Sequence, residues 1–178
     1  MRIVAGTARG RRLVVPDGTV TRPTTDRVRE AVFNALFSLD AIEDAIVVDL
    51  FAGSGALGLE ALSRGAAHCT FIERDRAALA AVRSNIDALG FADRCRVVTG
   101  DALRLAPTLG RVDLALADPP YDYDRWSDLL DVVDAALLVA ESDRPLGPHP
   151  SWQPLRERTY GSTVVAVLQP VRSAQEAP

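Results

Sequence analysis

Residues 46–58, Ile46-Val47-Val48-Asp49-Leu50-Phe51-Ala52-Gly53-Ser54-Gly55-Ala56-Leu57-Gly58, decide how the rest of the chain is read. The near-continuous apolar run from Ile46 to Leu50 fits a strand buried on both faces, which is the habit of parallel sheets covered by helices. Gly53, Gly55 and Gly58 then follow at GxGxxG spacing. Glycines there allow a sharp strand-to-helix turn and let a ligand approach the backbone amides at a helix N-terminus. A helix is expected from Leu57 to Arg64. The motif alone is also compatible with a tight turn that binds nothing.

Downstream the pattern repeats. Cys69 to Ile72 reads as a second strand, followed by a helix with Leu79, Val82, Ile86 and Leu89 on one face and Gly90 as its stop. Arg96 to Thr99 is a third strand and Val112 to Ala117 a fourth. Trp126, Leu129, Leu130, Val133 and Leu137 mark another amphipathic helix. Residues 143–156, with four prolines, read as an irregular loop, and Arg156–Tyr160 with Thr163–Leu168 as an antiparallel hairpin. Strands alternating with helices predict an α/β, Rossmann-like, mostly parallel doubly wound sheet whose ligands sit at the carboxyl ends of its strands.

Upstream, Arg2-Ile3-Val4 and Arg12-Leu13-Val14-Val15 flank the turn-like Gly6 to Gly10, which suggests a small basic hairpin. Thr24-Thr25-Asp26 after Pro23 marks a helix start, with Val28, Val32, Phe33, Leu36 and Phe37 at helical spacing. The organisation expected is a basic arm over residues 1–30, one sheet domain over 31–170 and a frayed tail over 171–178. Length agrees: 178 residues suit one such unit.

Charge is segregated along the chain. The formal net charge is −4, yet residues 1–30 hold seven Arg against Asp17, Asp26 and Glu30, leaving the remainder at −8. All 20 basic residues are Arg, which reflects base composition of the coding sequence more than chemistry. Cys69 and Cys95 show no CxxC spacing and form no ligand cluster with His68 or His149, so free thiols, no metal and a reducing cytoplasmic setting are expected. No run approaches the ~20 apolar residues that span a bilayer, and no membrane role is suggested.

The chemistry sits in four loops. Glu73 ends the second strand, 20 residues after Gly53, where a carboxylate can accept from both hydroxyls of an adenosine ribose. Asp101, after the third strand, serves either as acceptor for an adenine amine or as a helix N-cap. So far NAD and S-adenosylmethionine fit alike. Asp118-Pro119-Pro120-Tyr121, after the fourth strand, separates them, because two prolines hold a stiff outward turn. There the Asp118 carboxylate and Pro119 carbonyl can accept N–H bonds from a planar exocyclic amine while Tyr121 stacks on the base that bears it. Those bonds localise the nitrogen lone pair and aim it for in-line displacement at a methyl sulfonium.

The stretch Asp49 to Gly55 together with Asp118 to Tyr121 resembles class I, S-adenosylmethionine-dependent methyltransferases that act on exocyclic amines. Arg2-Ile3-Val4-Ala5-Gly6, Arg22-Pro23-Thr24 and Arg27 to Asn34 narrow the resemblance to the bacterial RsmD family of 16S rRNA (guanine-N2)-methyltransferases. It covers residues 1–141 and returns at Arg158 to Thr163. The resemblance implies methylation of the N2 amine of guanine 966 in 16S rRNA on an assembled or assembling 30S subunit, with S-adenosylhomocysteine as product. It implies that Asp49, Phe51, Gly53, Ser54, Gly55, Glu73, Arg74, Asp101 and Ala102 line the cofactor site, and Asp118, Pro119, Pro120 and Tyr121 the target-base site. The arm would grip RNA phosphates through Arg2, Arg9, Arg11, Arg12, Arg22, Arg27 and Arg29, with Arg9, Arg11 and Arg12 foremost. A monomer is expected.

One stretch departs from that family's pattern. Residues 134–142 carry no turn residue, so the fifth strand is either made from Leu137 to Glu141 by a shortened helix or missing. Three other readings stay open: an adenine-N6 methyltransferase on DNA or RNA using the same fourth loop, a nicotinamide oxidoreductase that would leave that loop unexplained, and an inactive RNA-binding module.

Overall fold

The computed structural model describes residues 1–16 and 26–171, and in it seven strands form one sheet in the order β3-β2-β1-β4-β5-β7-β6. The elements are α1 (Asp26–Phe37), β1 (Ile46–Asp49), α2 (Ala56–Ser63), β2 (His68–Glu73), α3 (Arg76–Leu89), β3 (Cys95–Thr99), α4 (Ala102–Leu105), β4 (Val112–Ala117), α5 (Trp126–Val132), β5 (Ala135–Ser142), β6 (Trp152–Tyr160) and β7 (Thr163–Pro170). β1 to β5 run parallel, and β7 joins antiparallel to both β5 and β6. This is the doubly wound α/β sheet with a C-terminal antiparallel hairpin that the alternation of periods predicts.

Successive residues of the central strands serve opposite faces. Val47, Leu114, Leu116 and Val139 pack with α1, α2 and α3 residues such as Phe33, Leu59 and Val82. Val48, Ala115, Ala117 and Leu138 pack with Trp126, Leu129 and Leu130 of α5. The Trp152 indole donates to the Leu130 carbonyl at 2.8 Å, so its polar edge is satisfied inside this second layer.

The fifth strand exists, and it takes more of the chain than the apolar periodicity indicated. α5 stops at Val132, Val133 is already extended, and β5 begins at Ala135, so Val133 and Leu137 do not belong to the helix. Consecutive β-branched residues weaken a helix end, and the strand gains two neighbours, β4 through Leu114↔Leu137 and β7 through Val139↔Val167. The turn is set by Asp134, whose carbonyl accepts from the Val112 amide at 3.0 Å. The proline-rich loop is likewise shorter than expected: β6 starts at Trp152 and absorbs Pro154 through a register shift before Arg156. A proline is tolerated there because β6 is an edge strand.

The basic N-terminal hairpin is a hairpin with a single bridge, Arg2↔Arg12, closed by Ile3 N donating to Arg11 O at 2.9 Å and Gly10 N to Ile3 O at 2.9 Å. Ile3, Ala8 and Leu13 are buried in the same core layer as α1 and α2. Glu60, fully buried on α2, accepts from the Val4 and Ala5 amides at 2.7 and 3.0 Å. Gly6 meets α2 so closely that a Cβ would lie 1.8 Å from the Ser63 carbonyl oxygen. Thr24, Thr25 and Arg22, as well as residues 172–178 of the expected tail, lie outside the described residues.

Candidate functional site at the carboxyl edge of the sheet

β1 delivers Asp49 to the base of the glycine loop. Its Oδ2 accepts from the Gly58 amide at 3.0 Å, inside α2, which ties strand end to helix. Oδ1 is buried outside hydrogen-bond geometry. Burial pushes the carboxyl up to about 7, the Gly58 amide opposes this, and the negative charges of Asp118 and Glu73 add to the rise. β2, β1 and β4 are neighbours in the sheet, so Glu73, Asp49 and Asp118 fall at adjacent strand ends where each charge acts on the others.

The three glycines have different reasons. Gly53 (φ +54°) and Gly55 (φ +83°) occupy the left-handed region, and a Cβ on Gly53 would meet nothing within 4 Å. Gly58 is helical, and a Cβ there would fall 2.4 Å from Phe71 Cε1 and 2.6 Å from Cys69 Sγ. The loop is thus open at its first glycine and packed against β2 at its third. Ladder bonds hold it between its neighbours: Leu50 N donates to Leu116 O at 2.9 Å and Ala52 N to Ile72 O at 3.0 Å.

Glu73 ends β2 as expected and organises two turns at once. Its Oε2 accepts from Gly53 N at 2.8 Å, and Oε1 accepts from Arg74 N at 2.7 Å and Asp75 N at 2.8 Å. Asp101 caps α4, its Oδ1 accepting from Leu103 N at 3.1 Å, while Oδ2 faces Arg74 Nη1 at 3.7 Å. The N-cap reading of Asp101 is therefore realised, and the same carboxylate lines a concavity with Gly100, Arg104, Leu105 and Arg125. Ala102 is buried behind it, Ser54 is buried within the loop, and Phe51 is half-buried.

The Asp118–Tyr121 turn follows β4 beside this loop. Tyr121 is half-exposed, with its hydroxyl 3.4 Å from Ser162 Oγ at the β6–β7 turn. Sequence reasoning missed Tyr123, which bridges the two loops: it packs edge-on to Phe51 (5.2 Å, 68°) and to Trp126 (5.5 Å, 89°). Its amide donates to Pro120 O at 3.0 Å, closing the stiff turn. Burial raises its phenol to about 12. A second aromatic two residues after Tyr121 was the available signal.

Asn85 was also missed. It sits buried on α3, where its Nδ2 donates to Ser54 O (2.8 Å) and Val14 O (2.9 Å) and its Oδ1 accepts from Val14 N (2.8 Å). One side chain thus joins the hairpin to the glycine loop. A lone Asn on the apolar stripe of α3 marks it in the sequence.

Of the seven arginines assigned to RNA, Arg9, Arg12 and Arg27 are exposed and make no ion pair among the described residues. Arg2 is exposed but paired with Asp26 at 2.9 Å, and Arg11 is exposed while donating to the Ala88 carbonyl. Arg29 departs from that expectation. It is 1% exposed, pairs with Asp26 at 2.8 Å and Glu60 at 3.7 Å and donates to the Arg2 carbonyl, so it braces the hairpin instead of facing a phosphate. Arg22 lies outside the described residues. Among the described residues no group of three or more His, Cys, Asp or Glu could hold a metal ion, and no helix is long and apolar enough to cross a membrane.

Comparison with known proteins places this arrangement among relatives. The family profile described as "Conserved hypothetical protein 95" matches residues 1–169. The chain is 37% identical over 183 residues to "Putative rRNA methyltransferase YlbH" of Bacillus subtilis, covering 95% of this chain and 98% of that one. It is 40% identical over 187 residues to "Ribosomal RNA small subunit methyltransferase D" of Escherichia coli K12, covering 98% and 91%. It superposes on the solved structure of "Putative methyltransferase yhhF" from Escherichia coli with a TM-score of 0.84 at 40% identity, covering 96% and 97%.

Proposed function

The chain belongs to the conserved hypothetical protein 95 family, the RsmD family, and we propose that it is an S-adenosylmethionine-dependent methyltransferase for the exocyclic N2 amine of a guanine in 16S rRNA, of the guanine 966 type. The observation that carries this reading is that Asp49, Glu73 and Asp118 stand at the carboxyl ends of three adjacent parallel strands, with the Asp118-Pro119-Pro120-Tyr121 turn beside the open glycine loop.

The residues fit the cofactor. The open space over Gly53 admits a ligand to the loop backbone, and the buried Asp49 Oδ1 lies outside hydrogen-bond geometry among the described residues. Asp49, Gly53, Glu73 and Asp101 would hold it, with Phe51, Ser54, Gly55, Arg74 and Ala102 shaping its surroundings. When bound, it supplies an electrophilic methyl group on a sulfonium.

The chain's own part is orientation and acceptance of protons. Asp118 and the Pro119 carbonyl accept the amine N–H bonds and draw its lone pair out of conjugation with the ring. Tyr121 supplies a flat face for the base, and Pro119 and Pro120 fix the distance between acceptors and ring without further ordering. Asp118 would take the proton that the amine releases as its nitrogen gains the methyl group and the methyl–sulfur bond breaks, with S-adenosylhomocysteine leaving. The base must be unstacked to enter, and the exposed Arg9, Arg11 and Arg12 are suited to grip flanking phosphates meanwhile.

A radiolabelled methyl-transfer assay on 30S particles, free 16S rRNA and duplex DNA, with Asp118→Ala as control, tests this. Labelled N2-methylguanine in the rRNA, lost in the control while S-adenosylhomocysteine still binds, is the expected result. Labelled adenine, label in DNA, or undiminished activity in the control would overturn it, as would calorimetric preference for NAD.

A further inference from the structure

The edge strand β6 carries a charged feature that the arm does not include. Arg156 pairs across the ladder with Val167 and Arg158 with Val165, and directly opposed residues share a face of the sheet. Val165 and Val167 belong to the core layer that holds Leu114, Leu116, α1 and the N-terminal hairpin. Both arginines therefore stand on the hairpin's side of the sheet, about 7 Å apart along the strand. Glu157 between them opposes Ala166 and belongs to the other face.

Their charges are available. Both are exposed, and neither forms an ion pair or side-chain hydrogen bond among the described residues, whereas Arg64, Arg74, Arg111, Arg125 and Arg144 are all paired. The strip also leads to the site. Tyr160 opposes Thr163, and the turn between them brings Ser162 to 3.4 Å from the Tyr121 hydroxyl. Two cations unpaired among the described residues thus sit a few residues along one strand from the ring proposed to stack on the target base.

Resting on the function proposed above, we propose that Arg156 and Arg158 form a second RNA-binding surface, holding successive phosphates of the single strand that flanks the target guanine. The N-terminal hairpin then grips the RNA on one side of the Asp118–Tyr121 turn and β6 on the other. Arginines on an edge strand suit this because the backbone fixes their spacing and each guanidinium can bind phosphate bidentately.

The test compares wild type with Arg156→Gln/Arg158→Gln, using free 16S rRNA and 30S particles across a salt series. Two lost phosphate contacts should flatten the plot of log affinity against log salt by about 1.4 for a single strand, equivalent to about 25-fold weaker binding near 0.1 M salt. KM for RNA should rise accordingly, while kcat at saturation, S-adenosylhomocysteine affinity and melting temperature stay unchanged. Arg96→Gln/Arg111→Gln, which removes the same charge at the amino ends of the parallel strands, should leave the slope intact. An unchanged slope in the β6 variant, an equal change in the control pair, or a loss seen with 30S particles but not with free RNA would each overturn the proposal, the last by pointing to a protein contact. If wild type methylates no RNA, the function proposed above fails instead. If wild type is active and the β6 variant matches it, only this inference falls.

Discussion

Replacing Gly58 and Gly53 by alanine, one at a time, separates packing from ligand approach within a single motif. At Gly58 the new Cβ would lie 2.4 Å from Phe71 Cε1, 2.6 Å from Cys69 Sγ and 2.9 Å from Phe71 Cζ. These are about 1 Å closer than carbon atoms pack. Phe71 and Cys69 are both 0% exposed, so neither can swing into solvent, and the strain must be taken by α2 or β2. Overpacking of this kind costs about 1–3 kcal/mol, or about 2–12 °C of melting temperature in a chain of this length. Gly58 has an ordinary helical backbone, so the cost is steric only. Gly53→Ala differs: its Cβ would stand in open space, the left-handed φ of +54° costs about 1–2 kcal/mol, and the methyl group would occupy the approach to the loop amides. Thermal denaturation and calorimetric titration with S-adenosylhomocysteine read the two effects. Gly58→Ala should lower stability and leave the affinity of the folded fraction within about twofold. Gly53→Ala should lose affinity at least tenfold, about 1.4 kcal/mol. Phe71→Leu combined with Gly58→Ala should recover part of the stability. A Gly58→Ala variant that melts like wild type but no longer binds would refute the reasoning.

Asp49 makes stability depend on pH. Its folded value near 7 lies above the unfolded 3.8, so the unfolded chain binds fewer protons between them, and this group removes stability as pH rises through that window. Urea denaturation of wild type and Asp49→Asn should show the variant gaining on wild type between about pH 4 and 7, with no further gain above pH 8, and a constant difference would contradict it. Glu60→Gln should cost about 3 kcal/mol, because the buried Arg29 keeps Asp26 but loses its second carboxylate. The hairpin should loosen with it, read as faster tryptic cleavage at Arg9, Arg11 and Arg12.

The order and type of the central elements were legible in residues 46–117, because a strand buried on both faces must be apolar throughout and each helix must turn an apolar stripe toward it. Glu73 and Asp118 were legible for a related reason: polar residues ending apolar strands fall at the sheet's carboxyl edge. β5 was obscured because its residues, Ala135 to Ser142, suit a buried helix and a buried strand equally, and only pairing with β4 and β7 distinguishes them.

The alternation that builds the sheet and the set of acceptors along its edge are written in the chain, since local period and residue chemistry do not depend on folding. What each polar group faces is set only once the chain has folded. Seven arginines near the N-terminus look alike in sequence, yet Arg29 is buried against Asp26 and Glu60 while Arg9 and Arg12 meet solvent. Arg156 and Arg158 carry the same charge far along the chain, and antiparallel register places them on the hairpin's face. Burial and pairing depend on contacts between residues distant in sequence, and these settle whether a charge is spent inside the protein or left for a partner.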